Sequence, residues 1–361
     1  MNGPDDQGTP HPNPADREGP ASGSDFRIRV NGVRILQSAS GVSLLEALRA
    51  GGIFLPSACG GRGICGFCRC TIRSGAPENP TPSEIQRIKP EELSAGVRLA
   101  CQIPVRRDLE IQISEALLEY RAFAAEVSEL TSLTHDIKRI RLRLIQPKEI
   151  HFKAGQYVQI QSRPYPGMEE SVWRSYSIAS IPDDPGNLDL IIKRVPNGIC
   201  TTWVHDHLKT RERVTLAGPI GDFFLREGKP EAVFVAGGSG MAPFASILGD
   251  MVAKGDRRNV TYFFGAVCRR DLYYLEEMNA FREKLPGFRF IPVVSQPEIC
   301  DKWEGETGLV TVPLSEWLKS RGGTDGLEAY LCGSPGMIQA CRMVLRDHGV
   351  AGNRVYFDSF S

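Results

Sequence analysis

The chain has 361 residues, the length of two or three ordinary domains. Its 43 Lys+Arg balance 43 Asp+Glu, which argues against a nucleic-acid binder that relies on broad phosphate neutralisation. No run approaches about 18 consecutive apolar residues, so no transmembrane span is expected. The opening Met1-Asn2-Gly3-Pro4-Asp5-Asp6 lacks the basic flank and apolar run of a secretory signal, which sets the chain in a reducing cytoplasm. The ten cysteines therefore need a purpose other than disulfides.

Residues 1–24 are rich in Pro, Gly, Asp and Asn and read as a disordered tail. Phe26, Ile28 and Val30 then alternate with Arg27 and Arg29, and the turn Asn31-Gly32 returns through Val33 and Ile35, the pattern of a β-hairpin. Ser43 precedes Leu44, Leu45, Ala47 and Leu48 at helical spacing, with Glu46 three residues after the Ser and Gly51-Gly52 closing a short helix. From Pro56 to Ala76 the chain is loop-like and holds four cysteines. A fifth, Cys101, comes shortly before the strand-like Leu109 to Ile113. A first small domain is expected to end near residue 115.

Within it, Cys59, Cys65 and Cys68 form C-x5-C-x2-C, and Cys101 follows after 32 residues. Thiolate ligands suit zinc or iron–sulfur. A zinc ribbon supplies two short Cys pairs, but Cys101 has no partner close by and residues 25–115 contain no His. Three cysteines in one loop and a distant fourth is the plant-type [2Fe–2S] pattern. The glycines at 60, 61, 63 and 66 let backbone N–H groups approach the sulfurs. Structural zinc is the competing reading on ligand chemistry alone. Cys70 begins the strand-like Cys70-Thr71-Ile72 and reads as a buried structural thiol.

Strand patterns at Ile137 to Leu144, Tyr157 to Ile160 and Leu188 to Lys193, with few long helical patterns before Gly218, indicate an antiparallel β-barrel over residues 120–227. In it Arg174-Ser175-Tyr176-Ser177 offers a guanidinium fork for a pyrophosphate and an aromatic ring to cover a flavin. Arg and Tyr also alternate on ordinary strands, so the motif gains weight from Gly155-Gln156-Tyr157 upstream and Gly198-Ile199-Cys200-Thr201-Thr202 downstream. After Pro230 a buried strand, Ala232 to Ala236, a glycine turn, a helix over Ala242 to Ala253 and a strand at Val260 to Phe264 announce a parallel α/β domain over residues 228–361. Its turn, Gly237-Gly238-Ser239-Gly240-Met241-Ala242-Pro243, is placed as a dinucleotide site requires but lacks the full G-x-G-x-x-G, and a plain strand-to-helix turn fits as well. Cys332-Gly333-Ser334-Pro335 puts a thiol at the carboxyl edge of the same sheet, or a small Cys in its core. His205 and His207 show no metal spacing and read as surface residues. Cys268, Cys300 and Cys341 join Cys70 as structural or surface thiols.

On these motifs the chain resembles the flavin oxidoreductases of the ferredoxin–NADP reductase superfamily that carry an N-terminal plant-type ferredoxin domain. Within the group it is most similar to the F-subunit branch of sodium-translocating NADH:quinone reductases, and next to the reductase components of bacterial oxygenases. The x5 gap and Cys59-Gly60-Gly61 favour the former. The resemblance implies a multidomain fold: a tail over 1–24, a β-grasp (α+β) ferredoxin domain over 25–115, an antiparallel FAD barrel over 120–227 and a parallel α/β NAD(P) domain over 228–361. It implies that Tyr157, Arg174, Tyr176 and Ser177 bind FAD, with the Ser near the reactive flavin nitrogen, and that Gly198, Cys200 and Thr201 contact its pyrophosphate. Gly237, Gly238, Gly240, Pro243 and Gly333 would shape the nicotinamide-nucleotide site, with Cys332 beside the nicotinamide. Phe360, in the terminal Phe357-Asp358-Ser359-Phe360, would cover the flavin until NADH displaces it. Ser177, Cys332 and Phe360 are the expected catalytic residues, and Cys59, Cys65, Cys68 and Cys101 the metal ligands. The resemblance implies NADH as donor, with NADPH possible; where the family has Gly-Ala-Arg this chain has Gly265-Ala266-Val267, with Arg269 and Arg270 displaced, and since a guanidinium there could meet a 2′-phosphate, the motif does not choose between the two. Electrons are expected to pass from NADH through FAD and [2Fe–2S] to a downstream acceptor protein or a quinone-linked complex. The alternatives are a component of a membrane-associated NADH:quinone reductase and, from another class, a small domain that is only a structural metal module for docking.

Overall fold

The computed structural model describes residues 26–360 except 58, 76, 78, 119, 229 and 298–302, so the expected tail and Cys300 lie outside the described residues. Phe26–Val30 (β1) and Arg34–Ser38 (β2) pair antiparallel about the Asn31-Gly32 turn, with Ile28 and Val30 fully buried and Arg27 and Arg29 facing water. The helix Leu44–Ala50 (α1) starts where the Ser43 hydroxyl accepts the Glu46 N–H at 3.3 Å, and it buries Leu44, Leu45, Ala47 and Leu48. Arg69–Ser74 (β3), the short helices Pro82–Arg87 (α2) and Pro90–Ser94 (α3), Val97–Leu99 (β4) and Leu109–Gln112 (β5) complete a five-stranded sheet of order β2-β1-β5-β3-β4. β1 and β5 run parallel, and α1 shares one core with the strands' inner face: the β-grasp arrangement.

A buried ion pair ties α2 to β4. Arg98 donates to both oxygens of Glu84 at 2.9 Å, and the same carboxylate accepts the Leu99 N–H at 3.0 Å and the Thr81 N–H at 2.7 Å. Arg98 also donates to the carbonyls of Pro77 and Asn79. Every charge in this cluster is matched, as burial demands. It fixes the chain two residues before Cys101.

Arg121–Ser132 (β6), Ile137–Gln146 (β7), Tyr157–Gln161 (β8), Trp173–Ser177 (β9), Asn187–Lys193 (β10) and Arg213–Ile220 (β11) form an antiparallel sheet of order β10-β7-β6-β11-β8-β9. An isolated antiparallel bridge between Ile178 and Leu190 joins its two edges and closes the barrel. The helix Ile199–Thr202 (α4) follows β10 and runs into a single π-turn over Trp203–His207.

Ala232–Gly237 (β12), Met241–Ala253 (α5), Val260–Ala266 (β13), Leu275–Lys284 (α6), Phe288–Val294 (β14), Glu306–Thr307 (β15), Thr311–Ser320 (α7), Glu328–Gly333 (β16), Pro335–Asp347 (α8) and Val355–Ser359 (β17) make the third unit. All its strand pairs are parallel, in the order β15-β14-β13-β12-β16-β17. The direction of winding reverses between β12 and β16, so a crevice opens at their carboxyl ends, where Gly237-Gly238 and Gly333-Ser334 stand. The helix begins at Met241, one residue earlier than its periodicity suggests, because the turn over Gly238–Gly240 is itself a 3-10 helix that runs straight into it.

Candidate functional site

The four cysteines expected as ligands converge from two directions. Cys59, Cys65 and Cys68 lie on the loop before β3, and Cys101 lies in the 3-10 turn Ala100–Gln102 that follows β4. Their sulfurs associate as two pairs, Cys59 with Cys65 and Cys68 with Cys101. The bond from the Cys65 thiol, with backbone N–H groups of Cys65, Ile64 and Gly61, brings Cys59 down to about 4. The bond from Cys68, with Gln102 and the Gly63 N–H, brings Cys101 to about 7. Their partners Cys65 and Cys68 move up, first through the bond to the paired sulfur and then through burial. Four thiols ringed by backbone donors fit a [2Fe–2S] cluster, which Cys59, Cys65, Cys68 and Cys101 would hold. Among the described residues no three His, Cys, Asp or Glu side chains gather as they would about a single ion.

The cluster loop reaches the barrel. Gly60 has φ +66, and a Cβ there would strike the Arg174 guanidinium and the Trp173 carbonyl, so only glycine permits this approach. Gln159 on β8 donates to the carbonyls of Leu55 (3.2 Å) and Ser57 (3.5 Å), and the Ser175 hydroxyl donates to Ser57 O at 3.2 Å. Phe54 packs against Trp173 with ring centroids 5.6 Å apart.

β9 also borders a cavity of about 840 Å³, within the range for a cofactor site. Tyr157, Arg174, Tyr176, Ser177, Gly198, Cys200, Thr201, Gly237, Gly238 and Phe360 all line it, and so does Arg62 from the cluster loop. Among the described residues Arg174 donates a hydrogen bond only to Trp173 O (2.8 Å), leaving the rest of its fork to an anion. Thr201 Oγ1 accepts the Val195 N–H at 3.2 Å, and the hydroxyl sits so close to Gly198 that a Cβ there would collide with it. The Tyr176 hydroxyl meets the Cys200 sulfur, and burial pushes the Cys200 thiol up to about 11. Cys200 is thus a buried support for Tyr176. A largely free guanidinium fork, a polar turn and an aromatic wall form a donor set that fits a flavin dinucleotide.

Gly240, Pro243, Cys332 and Gly333 are not on the cavity wall. Gly240 instead lets α5 pack on β16, since a Cβ would strike the Cys332 carbonyl. Cys332 is fully buried beneath the crevice, and burial, followed by the nearby Asp358, pushes its thiol well up. Ser334 and Met337, one turn further on, reach the cavity. Phe360 is held there by its N–H, which donates to Gly333 O at 2.9 Å.

Sequence patterns missed Asp358. It lines the cavity, accepts a bond from Ser177 Oγ at 3.4 Å, and is pushed up to about 6 by burial, with a further rise from Asp222. Its only sequence signal is its place in the terminal motif. The histidines are more engaged than surface residues would be: His205 Nε2 bonds the Ile192 carbonyl at 3.1 Å, and His207 stacks on Tyr165 at 4.6 Å. Cys268 is buried and disulfide-bonded, not a free thiol. Cys70 and Cys341 are buried free thiols, each pushed up to about 12 by burial.

Three family models match in this order: a 2Fe-2S iron-sulfur cluster binding domain over residues 28–106, an oxidoreductase FAD-binding domain over 124–225 and an oxidoreductase NAD-binding domain over 234–343. The F subunit of the Na(+)-translocating NADH-quinone reductase of Neisseria meningitidis is 31% identical over 376 residues, covering 94% of this chain and 92% of that protein. The chain belongs to the ferredoxin reductases that carry an N-terminal [2Fe–2S] domain. The corresponding F subunit of Pseudomonas aeruginosa is likewise 31% identical, over 94% of this chain and 92% of its own length. Among solved structures, an Amycolatopsis cytochrome P450 reductase superposes with TM-score 0.73 at 30% identity, covering 93% of this chain and 98% of that one. The ferredoxin reductase in carbazole 1,9a-dioxygenase gives 0.71 at 26%, covering 94% and 99%. This ferredoxin reductase is an oxidoreductase with FAD, NAD and [2Fe–2S] domains. Among the described residues no helix is long and apolar enough to cross a membrane.

Proposed function

We propose that the chain accepts hydride from NADH at the crevice between the second and third units, and that electrons leave singly through the four-cysteine site to an external acceptor. The bound nicotinamide, flavin and iron–sulfur groups supply hydride donation, the change from two-electron to one-electron transfer, and one-electron storage. The protein supplies position. Arg174 holds the flavin pyrophosphate, Tyr176 and Phe360 enclose the ring, and Ser177, with Asp358 behind it, places a hydroxyl toward the reactive face. Gly237 and Gly238 leave room for the nicotinamide nucleotide. Gly240, Pro243, Gly333 and Cys332 support that wall from behind.

The observation that carries this reading is continuity. Arg62 of the cluster loop lines the same cavity as Arg174 and Ser177, and Gly60 packs directly on Arg174. No intervening layer separates the thiol pairs from the flavin strand. For the acceptor we favour a redox protein or a quinone-linked complex, since the relatives named above divide between those two chemistries. The reading sets the chain in the cytoplasm, where the cluster-loop thiols stay free, with the Cys268 disulfide as the exception among the described residues.

Metal and sulfide analysis of the purified protein tests it. Iron and acid-labile sulfide in equal amounts, with one FAD, is the expected result. Zinc in the small domain would overturn it in favour of a structural docking module.

A further inference from the structure

Arg49, in the last turn of α1, stands where the ferredoxin domain meets the barrel. Its Nε is buried and unpartnered, and its terminal nitrogen reaches only Gln159 Oε1, at a long 3.4 Å. Its guanidinium carbon lies 5.8 Å from the centre of the Trp173 ring. Among the described residues no carboxylate lies within ion-pair distance of it. Glu46, one turn back, is already bonded by the Ser43 hydroxyl at 3.0 Å. A guanidinium stays charged at any working pH, and a half-buried charge without a partner is costly.

The surroundings of Arg49 lead to the cysteine loop: Gln159, which it reaches, also donates to the Leu55 and Ser57 carbonyls just before Cys59, and a Cβ on Gly61 would touch both Cys101 and Leu45, one turn back on the same face of α1. Burial works against the charge on Arg49, while Cys68, Glu46 and Cys101 favour it and Arg174 opposes it. An iron–sulfur cluster with four thiolates is a dianion that gains a further negative charge on reduction. We propose that Arg49 is the counter-cation of the iron–sulfur site, raising its reduction potential and binding the ferredoxin domain to β8 and β9 through Gln159 and Trp173. The attraction acts across a low-dielectric interface rather than through water, which strengthens it. It favours the reduced state because that state carries more negative charge. This rests on the functional reading above.

The test is an EPR-monitored redox titration of the holoenzyme, with the flavin potential followed by absorbance as an internal control. Arg49→Gln should lower the ratio of reduced to oxidised cluster at the wild-type midpoint about tenfold, a downward shift of about 59 mV for a one-electron couple, and leave the flavin midpoint in place. Arg49→Lys, which retains the charge, should recover most of the shift. Arg49→Met, which can still pack on Trp173, supplies a second neutral variant if Arg49→Gln does not accumulate. A wild-type midpoint in the neutral variants, or an equal shift in Arg49→Lys, would overturn the proposal. Wild-type protein without any cluster signal would instead overturn the functional reading.

Discussion

Replacing Glu84 by Ala strands Arg98, whose side chain is 8% exposed, beside a cavity that no longer holds its countercharge. The substitution removes both 2.9 Å bonds from Arg98 and the acceptor for the Leu99 and Thr81 N–H groups. Breaking a buried pair from one side costs about 3–5 kcal/mol, largely because the surviving charge is left uncompensated. With a urea m-value of about 2 kcal/mol/M, the midpoint for loss of cluster absorbance should fall by about 1.5–2.5 M. The double variant Glu84→Leu with Arg98→Met should be more stable than Glu84→Ala, since apolar replacement of both partners removes the stranded charge. Burial alone would raise the Glu84 carboxyl, but Arg98 and the Thr81 and Leu99 amides hold it below its ordinary value. The pair's contribution is therefore present above the unfolded carboxylate range and lost as pH falls through the lower folded value. A wild-type urea midpoint in Glu84→Ala would refute the claim that this pair anchors the chain leading to Cys101.

Cys101→Ser should abolish the cluster's EPR signal while NADH still reduces the flavin, and loss of both would show that the two sites are not separable. Arg174→Ala removes a charge-assisted bond to phosphate worth about 1.5–3 kcal/mol, so FAD should bind about 10–150-fold more weakly by fluorescence titration of apoprotein. Unchanged affinity would remove Arg174 from the pyrophosphate site. Asp358 is raised from 3.8 to about 6 by burial, so its favourable contribution is present below the unfolded value and lost as pH rises through about 6. Asp358→Asn should flatten that fall in the apoprotein's thermal stability between these limits, whereas an identical pH profile would mean that Asp358 ionises freely.

Elements whose determinants are local were legible in the sequence. The Asn31-Gly32 hairpin, the Ser43 cap and the buried strand Ala232 to Ala236 depend on neighbours a few residues away, and they stand where their patterns place them. The convergence of Cys59, Cys65, Cys68 and Cys101 was legible for another reason, since metal-ligand chemistry restricts spacing tightly. What depends on distant packing was not. Nothing near Gly240 shows that the Cys332 carbonyl comes against it, so its packing against β16 could not be read from the glycine turn. Cys332 stands on the expected edge, but its side chain faces the core because alternation along β16 cannot be read when the whole strand is buried. Asp358 and Ser177 are far apart in sequence and meet only because β17 joins the sheet beside the barrel. The contact of Arg49 with Gln159 and Trp173 crosses two domains, and composition carries no trace of it.

Anaerobic titration of the cofactor-loaded protein with NADH, followed by visible absorbance and EPR on the same sample, tests the central claim most directly. The account predicts bleaching of the flavin band together with a rhombic [2Fe–2S] signal. Bleaching without that signal, or no bleaching at all, would contradict it.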